Sequence, residues 1–165
     1  MSKTRLRVGC GFDAHRFVEG RPLVLGGLTI PCERGLEGHS DADVLIHALC
    51  DAILGAAGAG DIGRHFPDTD PRYKGISSVV LLERTLEMAS ESGWRLVNAD
   101  VTLIMQAPKI APHVPAMTAR LGKVLGREAA LTIKATTTEG MGYTGRGEGA
   151  AAMAVVLMEG KRQKG

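Results

Sequence analysis

Three residues in the first third of the chain carry the side chains of a divalent-metal site, and we call them the triad. Asp13 and His15 follow alternating apolar residues that predict a strand, so their side chains project from one face of it. His47 closes the segment 38–47, which has the composition of a helix start. A carboxylate and two imidazoles suit Zn²⁺, and three protein ligands with one open position form a catalytic zinc site. The same residues also fit a strand end and two ordinary polar histidines, so both interpretations stay open on these positions alone.

A strand and a helix must position the triad. Residues 8–11 predict the strand, and a helix is predicted from Asp41 to about Ala57, where one face is apolar. Ser40 and Asp43, three residues apart, fit a capping box at the start of this helix. The pattern therefore places His47 near the beginning of a capped helix.

The polar face of the same helix offers partners for the histidine. Asp43 and Asp51 lie four residues before and after His47, so either carboxylate could accept the second N–H of the ring. A solvent-exposed stripe of mixed charge explains the same spacing. The helix start at Ser40, next to His39, is also a weak candidate for phosphate binding, because unpaired backbone N–H groups attract anions there. An ordinary surface position is the alternative for His39.

The remaining periodicity predicts an α+β fold. In chain order, the further predicted elements are a strand at 23–30 broken at Gly26 and Gly27, a loop at 60–75, a helix at 77–92, a strand at 96–106, a helix from about Pro112, and strands at 131–135 and 150–158. Strands covered by helices on one side predict a two-layer sandwich with a mixed β-sheet. We predict one domain over residues 1–160 and a basic C-terminal tail at 161–165.

The composition excludes several classes of protein. At 165 residues the chain is about one domain long. Its formal net charge of +2, with acids and bases mixed, is too small to indicate binding to nucleic acid or to a membrane surface. No apolar stretch approaches the length of a membrane span. Three scattered cysteines favour reduced thiols and hence a cytoplasmic protein.

Two further segments have compositions that suit ligand contacts. Residues 134–149 contain three consecutive threonines, then Glu139 and several glycines that allow the backbone to approach a ligand closely. Arg146 offers a fork for phosphate oxygens, although the residue order is not that of a Walker A loop. Residues 106–109 end a strand at a proline, which makes neighbouring backbone groups available to a nucleobase. A glycine-rich hairpin and a plain strand-to-helix turn are the alternatives.

Five long motifs occur in order along the chain: GFDAH, GHSDADVLIH, GDIGRHFPDTD, QAPK and KATTTEGMGYTGRGEG. Through them the chain resembles the 2-C-methyl-D-erythritol 2,4-cyclodiphosphate synthases of the non-mevalonate isoprenoid pathway, from Arg7 to about Glu159. The resemblance implies that 4-diphosphocytidyl-2-C-methyl-D-erythritol 2-phosphate is converted into the cyclic diphosphate. Its 2-phosphate would attack the β-phosphorus and expel CMP, so the implied enzyme is a cyclising phosphorus–oxygen lyase.

The resemblance also implies roles for individual residues. The triad corresponds to the zinc ligands, and Glu139 to the residue that helps to hold Mg²⁺ or Mn²⁺ on the diphosphate. His39 and Thr137 correspond to catalytic residues that stabilise the transition state. Residues 61–63 correspond to contacts with erythritol, 66–70 to a mobile loop, and 105–111 with 136–139 to cytidine and phosphate contacts. The full set of implied substrate contacts is Asp13, His15, His39, Ser40, Asp61, Ile62, Gly63, Phe66, Pro67, Asp68, Thr69, Asp70, Met105, Gln106, Ala107, Pro108, Lys109, Ile110, Ala111, Thr136, Thr137, Thr138, Glu139, Tyr143 and Arg146.

An assembly is implied as well. The family forms homotrimers with active sites between adjacent subunits, so the triad and the cytidine pocket would come from different chains. Tyr143 and Arg146 correspond to positions that line a central cavity, which holds an isoprenoid diphosphate in some members. The usual aromatic residue there is phenylalanine, from which Tyr143 departs by one hydroxyl. Two other functions fit the same residues: a zinc-dependent phosphohydrolase, and an inactive trimeric sensor of isoprenoid diphosphates or nucleotides.

Overall fold

A computed structural model describes residues 4–161 of the chain, so residues 162–165 of the predicted tail lie outside the described part. The strands are β1 (Thr4–Glu19), β2 (Leu23–Leu25), β3 (Leu28–Ile30), β4 (Arg34–Leu36), β5 (Trp94–Ile104), β6 (Ala130–Thr136) and β7 (Gly149–Lys161). The helices are α1 (Val44–Ala57), α2 (Ile62–His65), α3 (Ser78–Glu91), α4 (Val114–Leu125) and α5 (Gly142–Gly145). Short 3₁₀ turns occupy Pro71–Tyr73 and Ala111–His113. Across residues 4–161, no helix is both long enough and apolar enough to span a membrane.

Five strands form one mixed sheet in the order β4–β1–β7–β5–β6. Its β5 and β6 strands are parallel, whereas the other neighbouring strands in this sheet run antiparallel. The β2 and β3 strands form a separate hairpin that turns at Gly26 and Gly27, both of which have positive φ. The prediction of an α+β fold with a mixed sheet is therefore confirmed, and the interrupted strand predicted at 23–30 forms the two arms of the hairpin.

Helices pack on one face of this sheet, and α1 approaches β1 more closely than side chains would allow. Gly9 and Gly11 face α1, and a Cβ atom on Gly11 would lie 1.9 Å from the carbonyl oxygen of Ala48. A Cβ atom on Gly9 would lie equally close to the carbonyl oxygen of Ala52. Because side chains alternate along a strand, Asp13 projects from the same face as these glycines. The glycines thus bring α1, which carries one triad histidine, against the strand that carries the rest of the triad.

The other face of the sheet has exposed apolar side chains in the described part of the chain, residues 4–161. On β1, Leu6, Val8 and Phe12 are 62%, 69% and 55% exposed. On the adjacent strand β7, Met153 and Val155 are each 44% exposed. We call these five side chains the apolar strip. Contiguous exposed apolar side chains of this kind mark an interaction surface.

The start of α1 differs from the prediction. The helix begins at Val44, and its N-cap is Asp43, whose carboxylate accepts the N–H of Ile46 at 3.1 Å. Ala42, in the left-handed conformation with φ of 57°, separates Ser40 from the helix. The predicted capping box is therefore wrong. The buried Asp43 carboxylate accepts one N–H group at this helix start, and a phosphate site beside it stays a prediction.

The glycine-rich segment differs from its hairpin alternative. It contains a short helix, α5, between β6 and β7. The turn before α5 places both Glu139 and Gly140 at positive φ. By contrast, α3 agrees closely with its prediction, since Ser77 caps it and Ser92 ends it. Regular periodicity predicted this helix well, whereas glycine content alone did not determine the conformation of the segment before β7.

Candidate metal centre

The triad side chains meet where β1 packs on α1. The Nε2 atom of His15 lies 2.8 Å from Oδ2 of Asp13 and 3.1 Å from Nδ1 of His47. Nδ1 of His47 lies 3.0 Å from the same Asp13 oxygen. The three side chains are 12–26% exposed. One ligand atom from each residue therefore lies within hydrogen-bond distance of the other two, in a half-buried position.

The three atoms fit one face of a tetrahedral metal site. Metal–ligand bonds of about 2.0–2.1 Å in tetrahedral geometry separate neighbouring ligand atoms by about 3.3–3.4 Å. The observed separations of 2.8–3.1 Å are only slightly shorter. Imidazole nitrogen and carboxylate oxygen are both zinc ligands. The triad is thus a candidate metal site, in agreement with the coarser part of the cofactor prediction, and within residues 4–161 it is the one His/Cys/Asp/Glu cluster compact enough to hold an ion.

The carboxylate of the triad is held in its ionised form. Burial alone would raise the pKa of Asp13, but hydrogen bonds from His15 and His47 outweigh it and hold that pKa far below its usual range. Burial would likewise lower the pKa of His15, but the hydrogen bond with Asp13 and the negative charge of Asp13 raise it above its usual value. The site therefore favours positive charge beside Asp13, which is the electrostatic condition for binding a cation.

The second ring nitrogen of His47 contacts two serines. Nε2 lies 3.0 Å from Oγ of Ser40 and 3.0 Å from Oγ of Ser78. Both serines are buried. The ring of His47 is therefore held from both sides, by the triad at Nδ1 and by hydroxyl groups at Nε2.

Neither aspartate predicted to contact His47 does so. Asp43 accepts the N–H of Gly27 at 2.7 Å and caps α1, while Asp51 accepts the N–H of Ile62 at 2.7 Å. The predicted carboxylate partner is therefore wrong. Both carboxylates satisfy main-chain N–H groups of neighbouring segments, which helical spacing alone does not reveal.

A cavity of about 320 Å³ opens beside the triad. Its walls are formed by Asp13, His15, Gly38, His39, Ser40, His47, Ile62, Phe66, Asp68, Tyr73 and Leu81. Outside the triad, the predicted substrate contacts among them are His39, Ser40, Ile62, Phe66 and Asp68. The predicted contacts Asp61, Gly63, Pro67, Thr69 and Asp70 are their neighbours in the chain and do not line the cavity. The structure thus gathers three separate motifs around the triad.

Arg21 holds the segment that carries His39. Its guanidinium donates to the carbonyl oxygens of Gly38 and Ser40, each at 2.7 Å. The ring of His39 is fixed in turn, since its Nε2 lies 3.1 Å from the carbonyl oxygen of Asp70. Arg21 lies outside the five motifs, so its role had no signal in the sequence.

Two aspartates cap the short helical turns on either side of the cavity-lining residue Phe66. Asp61 caps α2, and Asp70 caps the following 3₁₀ turn while accepting a hydrogen bond from Arg72 at 2.6 Å. Between them, Phe66 packs edge-on against Tyr73 with the ring centroids 5.4 Å apart. This aromatic pair forms one wall of the cavity.

The predicted cytidine and diphosphate contacts lie in a different part of the chain, which we call the strand-end region: residues 105–111 and 136–139. These residues lie at the carboxyl ends of β5 and β6. Because the two strands are parallel neighbours, their ends lie side by side. Among the described residues that line the triad cavity, none belongs to the strand-end region. One chain therefore presents two separate surfaces for the predicted substrate contacts.

Glu139 occupies an unusual backbone position in the strand-end region. Its φ is 53°, in the left-handed region that residues other than glycine rarely adopt. The hydroxyl of Thr137 donates to Oε1 of Glu139 at 3.1 Å and accepts the N–H of Glu139 at 3.2 Å. Both side chains are exposed. Such a conformation at an exposed carboxylate suits a ligand contact better than a packing role.

Tyr143 and Arg146 lie near a second cavity, which is bordered by residues 14–16 of β1. A cavity of about 270 Å³ is lined by Ala14, His15, Arg16, Tyr143, Glu148 and Gly149. Arg146 does not line it, but donates to the carboxylate of Glu148 at 2.6 Å. Tyr143 therefore lies on the cavity wall, and Arg146 is ion-paired with Glu148, which also lies on that wall.

Four residues near the triad were not predicted. Gly38, Tyr73 and Leu81 line the cavity, and Ser78 contacts a triad ring. Ser78 and Leu81 come from the first turn of α3. The pattern of that turn indicates only a capped amphipathic helix, so the sequence contained no signal for their position beside the triad.

The chain is similar to known proteins over nearly its whole length. The YgbB family model matches residues 6–159. The 2-C-methyl-D-erythritol 2,4-cyclodiphosphate synthase of Geobacillus kaustophilus (strain HTA426) is 60% identical over 154 residues, which cover 93% of this chain and 98% of the relative. The resemblance inferred from the five motifs is therefore confirmed.

Solved structures agree with the fold. A 2C-methyl-D-erythritol-2,4-cyclodiphosphate synthase in a CDP-bound form superposes with a TM-score of 0.80 at 42% identity, covering 92% of this chain and 99% of that chain. The bifunctional IspDF of Campylobacter jejuni superposes with a TM-score of 0.90 at 42% identity over 96% of this chain, which spans 43% of that longer protein. With a family match of this extent and relatives of this identity, the chain belongs to the YgbB family, in which its relatives are 2-C-methyl-D-erythritol 2,4-cyclodiphosphate synthases.

Proposed function

We propose that the chain converts 4-diphosphocytidyl-2-C-methyl-D-erythritol 2-phosphate into 2-C-methyl-D-erythritol 2,4-cyclodiphosphate and CMP. The observation that carries this proposal is the triad, whose three ligand atoms lie within 3.1 Å of one another beside a cavity. A synthase of this name is 60% identical to the chain over nearly its full length. Geometry and family membership therefore support the same reaction.

The proposed reaction closes a ring within one substrate molecule. An oxygen of the 2-phosphate forms a bond to the β-phosphorus, and the bond from that phosphorus to the oxygen bridging to the α-phosphate breaks. The electron pair of the broken bond leaves on CMP, so no water is consumed and no covalent enzyme intermediate is needed. The main barrier is electrostatic, because two anionic groups must approach each other in line with the leaving group.

The triad would hold Zn²⁺, and Glu139 would hold Mg²⁺ or Mn²⁺ together with the diphosphate. When bound, such ions neutralise phosphate charge and orient the phosphate oxygens. Three protein ligands leave a coordination position for a substrate oxygen. The ionised state of Asp13 and the compact spacing of the triad support the first site. The exposed carboxylate of Glu139, beside the hydroxyl of Thr137, supports the second.

His39 and Thr137 would stabilise negative charge that develops on the transferred phosphate. His39 lines the cavity, and its hydrogen bond with the carbonyl of Asp70 fixes the ring before substrate binds. The exposed hydroxyl of Thr137 can turn from Glu139 towards a phosphate oxygen. A ring fixed in advance, as that of His39 is, is effective because it needs no reorganisation during the reaction. Residues 61–63 and 66–70, on and beside the cavity wall, would contact the erythritol portion.

The cytidine diphosphate portion would bind in the strand-end region. A solved relative of the same fold is a CDP-bound form, which supports recognition of this group within the family. Gln106, Ala107 and Lys109 are exposed there, whereas Met105 and Ile110 are buried and hold the segment to the core. This arrangement offers polar and main-chain groups on a fixed support.

We further propose that active sites form between the subunits of a homotrimer. Two observations support this: the triad cavity and the strand-end region are separate within one chain, and the apolar strip is exposed. A neighbouring copy would bring its strand-end region to the triad and bury apolar surface. The cavity beside Tyr143, with Arg146 nearby, would then face the centre of the trimer and accept an isoprenoid diphosphate. Free thiols at Cys10, Cys32 and Cys50 support function in the reducing cytoplasm.

The proposal is tested by phosphorus NMR of the reaction products. Incubation of the chain with substrate, Zn²⁺ and Mg²⁺ should yield cyclic diphosphate and CMP in equal amounts. Linear phosphate products would instead indicate a zinc-dependent phosphohydrolase, and ligand binding without turnover would indicate a sensor. Either result would contradict the proposal. Sedimentation equilibrium of the same sample should give the mass of three chains.

A further inference from the structure

Asp41 and Ser78 form a hydrogen-bonded pair behind the triad. The carboxylate of Asp41 accepts the hydroxyl hydrogen of Ser78 through one oxygen and the main-chain N–H of Ser78 at 2.9 Å through the other. Ser78 is the first residue of α3 and is fully buried, whereas Asp41 precedes α1. The Oγ atom of Ser78 also lies 3.0 Å from Nε2 of His47. The pair therefore joins two helices at the back of one triad ligand.

The direction of these hydrogen bonds sets the protonation of the ring. An ionised carboxylate only accepts hydrogen bonds, so the hydroxyl hydrogen of Ser78 points to Asp41. Its oxygen then presents a lone pair to His47, and Nε2 must carry the proton that completes the hydrogen bond. When a cation takes the place of the hydrogen bond between Nδ1 and Asp13, a neutral imidazole protonated on Nε2 has its lone pair on Nδ1. Nδ1 is the nitrogen that faces the other two triad residues.

Ser40 occupies a different place in this arrangement. Its Oγ also lies 3.0 Å from Nε2 of His47, and it accepts the N–H of Ala42 at 3.2 Å. Ser40 lines the cavity, however, and within residues 4–161 its hydroxyl oxygen contacts His47 and the N–H of Ala42 but no carboxylate. The contact that determines the direction of the His47 hydrogen bond is therefore the one with Ser78.

We propose that Asp41 and Ser78 are positioning residues that fix the tautomer and ring orientation of His47 for metal binding. The proposal rests on the part of the proposed function in which the triad holds a divalent ion. Partners of metal-binding histidines typically change metal affinity by about 10–100-fold when they are removed. The pair also explains why Ser78 is buried at a helix start, in contact with a triad ring but not itself one of the metal-binding residues.

Titration of metal-free protein with Co²⁺, followed by visible absorption, measures the affinity directly. We expect Ser78→Ala to weaken Co²⁺ binding by about 10–100-fold and Asp41→Asn by about 10-fold. The double variant should lose little more than Ser78→Ala alone, because the two residues act as one unit. Ser77→Ala is the matched control: Ser77 caps the same helix through the N–H of Val79 and should leave the affinity within about twofold.

A second measurement separates positioning from simple support of the fold. In Zn²⁺-loaded protein, the proton on Nε2 of His47 should give a slowly exchanging imidazole signal in proton NMR. It should persist in Ser77→Ala and disappear through faster solvent exchange in Ser78→Ala. Unchanged Co²⁺ affinity in Ser78→Ala, an equal loss in Ser77→Ala, or full additivity in the double variant would overturn the proposal, as would absence of Co²⁺ binding in the wild type. A wild type that binds Co²⁺ but forms no cyclic product would refute only the proposed function.

Discussion

The triad and the strand-end region differ in how firmly a single chain holds them. The hydrogen bonds of His47 to Asp13 and His15 join residues 34 and 32 positions apart in the sequence. Side-chain hydrogen bonds within 136–144 join residues at most six positions apart. The triad is half-buried, whereas Thr137 and Glu139 are exposed. Folding therefore fixes the triad, while the strand-end region depends on local turns.

Because of this difference, ligand binding should cost less conformational entropy at the triad than in the strand-end region. Long-range packing fixes the triad during folding, so no ordering of its side chains is needed when a cation binds. The exposed side chains of the strand-end region lose freedom when a ligand or a second chain contacts them. One chain thus preorganises the site for a cation more fully than the site for a nucleotide. Perturbations of the two regions should separate cation binding from turnover.

The largest effect is expected when His47 is replaced by Ala. Loss of one of three ligands should weaken Co²⁺ or Zn²⁺ binding by roughly 1000-fold and remove detectable CMP release. The fold should survive, because the side chain borders a cavity and is not part of the apolar core. Metal titration, CMP assay and circular dichroism check these points. His113→Ala, at the start of α4 away from the triad cavity, is the matched control, and normal turnover in His47→Ala would refute the ligand assignment.

Much of the support for the triad follows from local sequence rules. The period of two along β1 correctly places Asp13 and His15 on one face, and the apolar stripe correctly predicts α1 through Ala57. Ser77 and Ser92 mark the ends of α3 as predicted. These features depend on residues close together in the chain, which is why pattern and spacing suffice.

The contacts that the sequence did not reveal are tertiary. Ser78 lies 31 positions from His47, and Arg21 lies 17 and 19 positions from the carbonyls it binds. No periodicity encodes such pairs. The predicted start of α1 was wrong because Ala42 adopts a positive φ, which is unusual for alanine and is not indicated by its side chain. Assembly was inferred from family resemblance alone, and the apolar strip became recognisable only once β1 and β7 were paired.

A methyl group at Gly11 should disrupt the triad, because it would move α1, which carries His47, away from β1. The added Cβ would overlap the carbonyl of Ala48 at 1.9 Å, so α1 must move away from β1. We expect Gly11→Ala to lower the free energy of unfolding by about 3 kcal/mol and to weaken Co²⁺ binding as well. Gly55→Ala, on the same helix with no atom within 4 Å of the added methyl, should be neutral or slightly stabilising. Equal urea stability of the two variants would contradict this account of the packing.

The free energy of unfolding should depend on pH because of Asp43, the buried N-cap of α1. Burial raises the pKa of Asp43 to about 6, which outweighs the lowering by the N–H groups of Gly27 and Ile46. Since the folded chain binds this proton more tightly than the unfolded chain, the stabilisation is present below about pH 4 and is lost as the pH rises through about 6. The shift of about two pKa units corresponds to about 3 kcal/mol. The free energy of unfolding of metal-free wild type relative to Asp43→Asn should fall by about 2 kcal/mol between about pH 4 and pH 6.5 in urea titrations, and a constant difference would contradict it.

Replacing Glu139 by Gln should reduce turnover while leaving the triad intact. The amide keeps the size of the side chain and can still accept the hydroxyl of Thr137, but it lacks the charge that would hold Mg²⁺ on the diphosphate. We expect kcat to fall about 100-fold and the Mg²⁺ concentration needed for half-maximal activity to rise. The Co²⁺ affinity of the triad should stay within about twofold of wild type. Glu83→Gln, exposed on α3, should change neither property. A parallel loss of Co²⁺ affinity in Glu139→Gln would contradict this separation of cation binding from turnover, because Glu139 lies outside the triad cavity and its side-chain hydrogen bond is local.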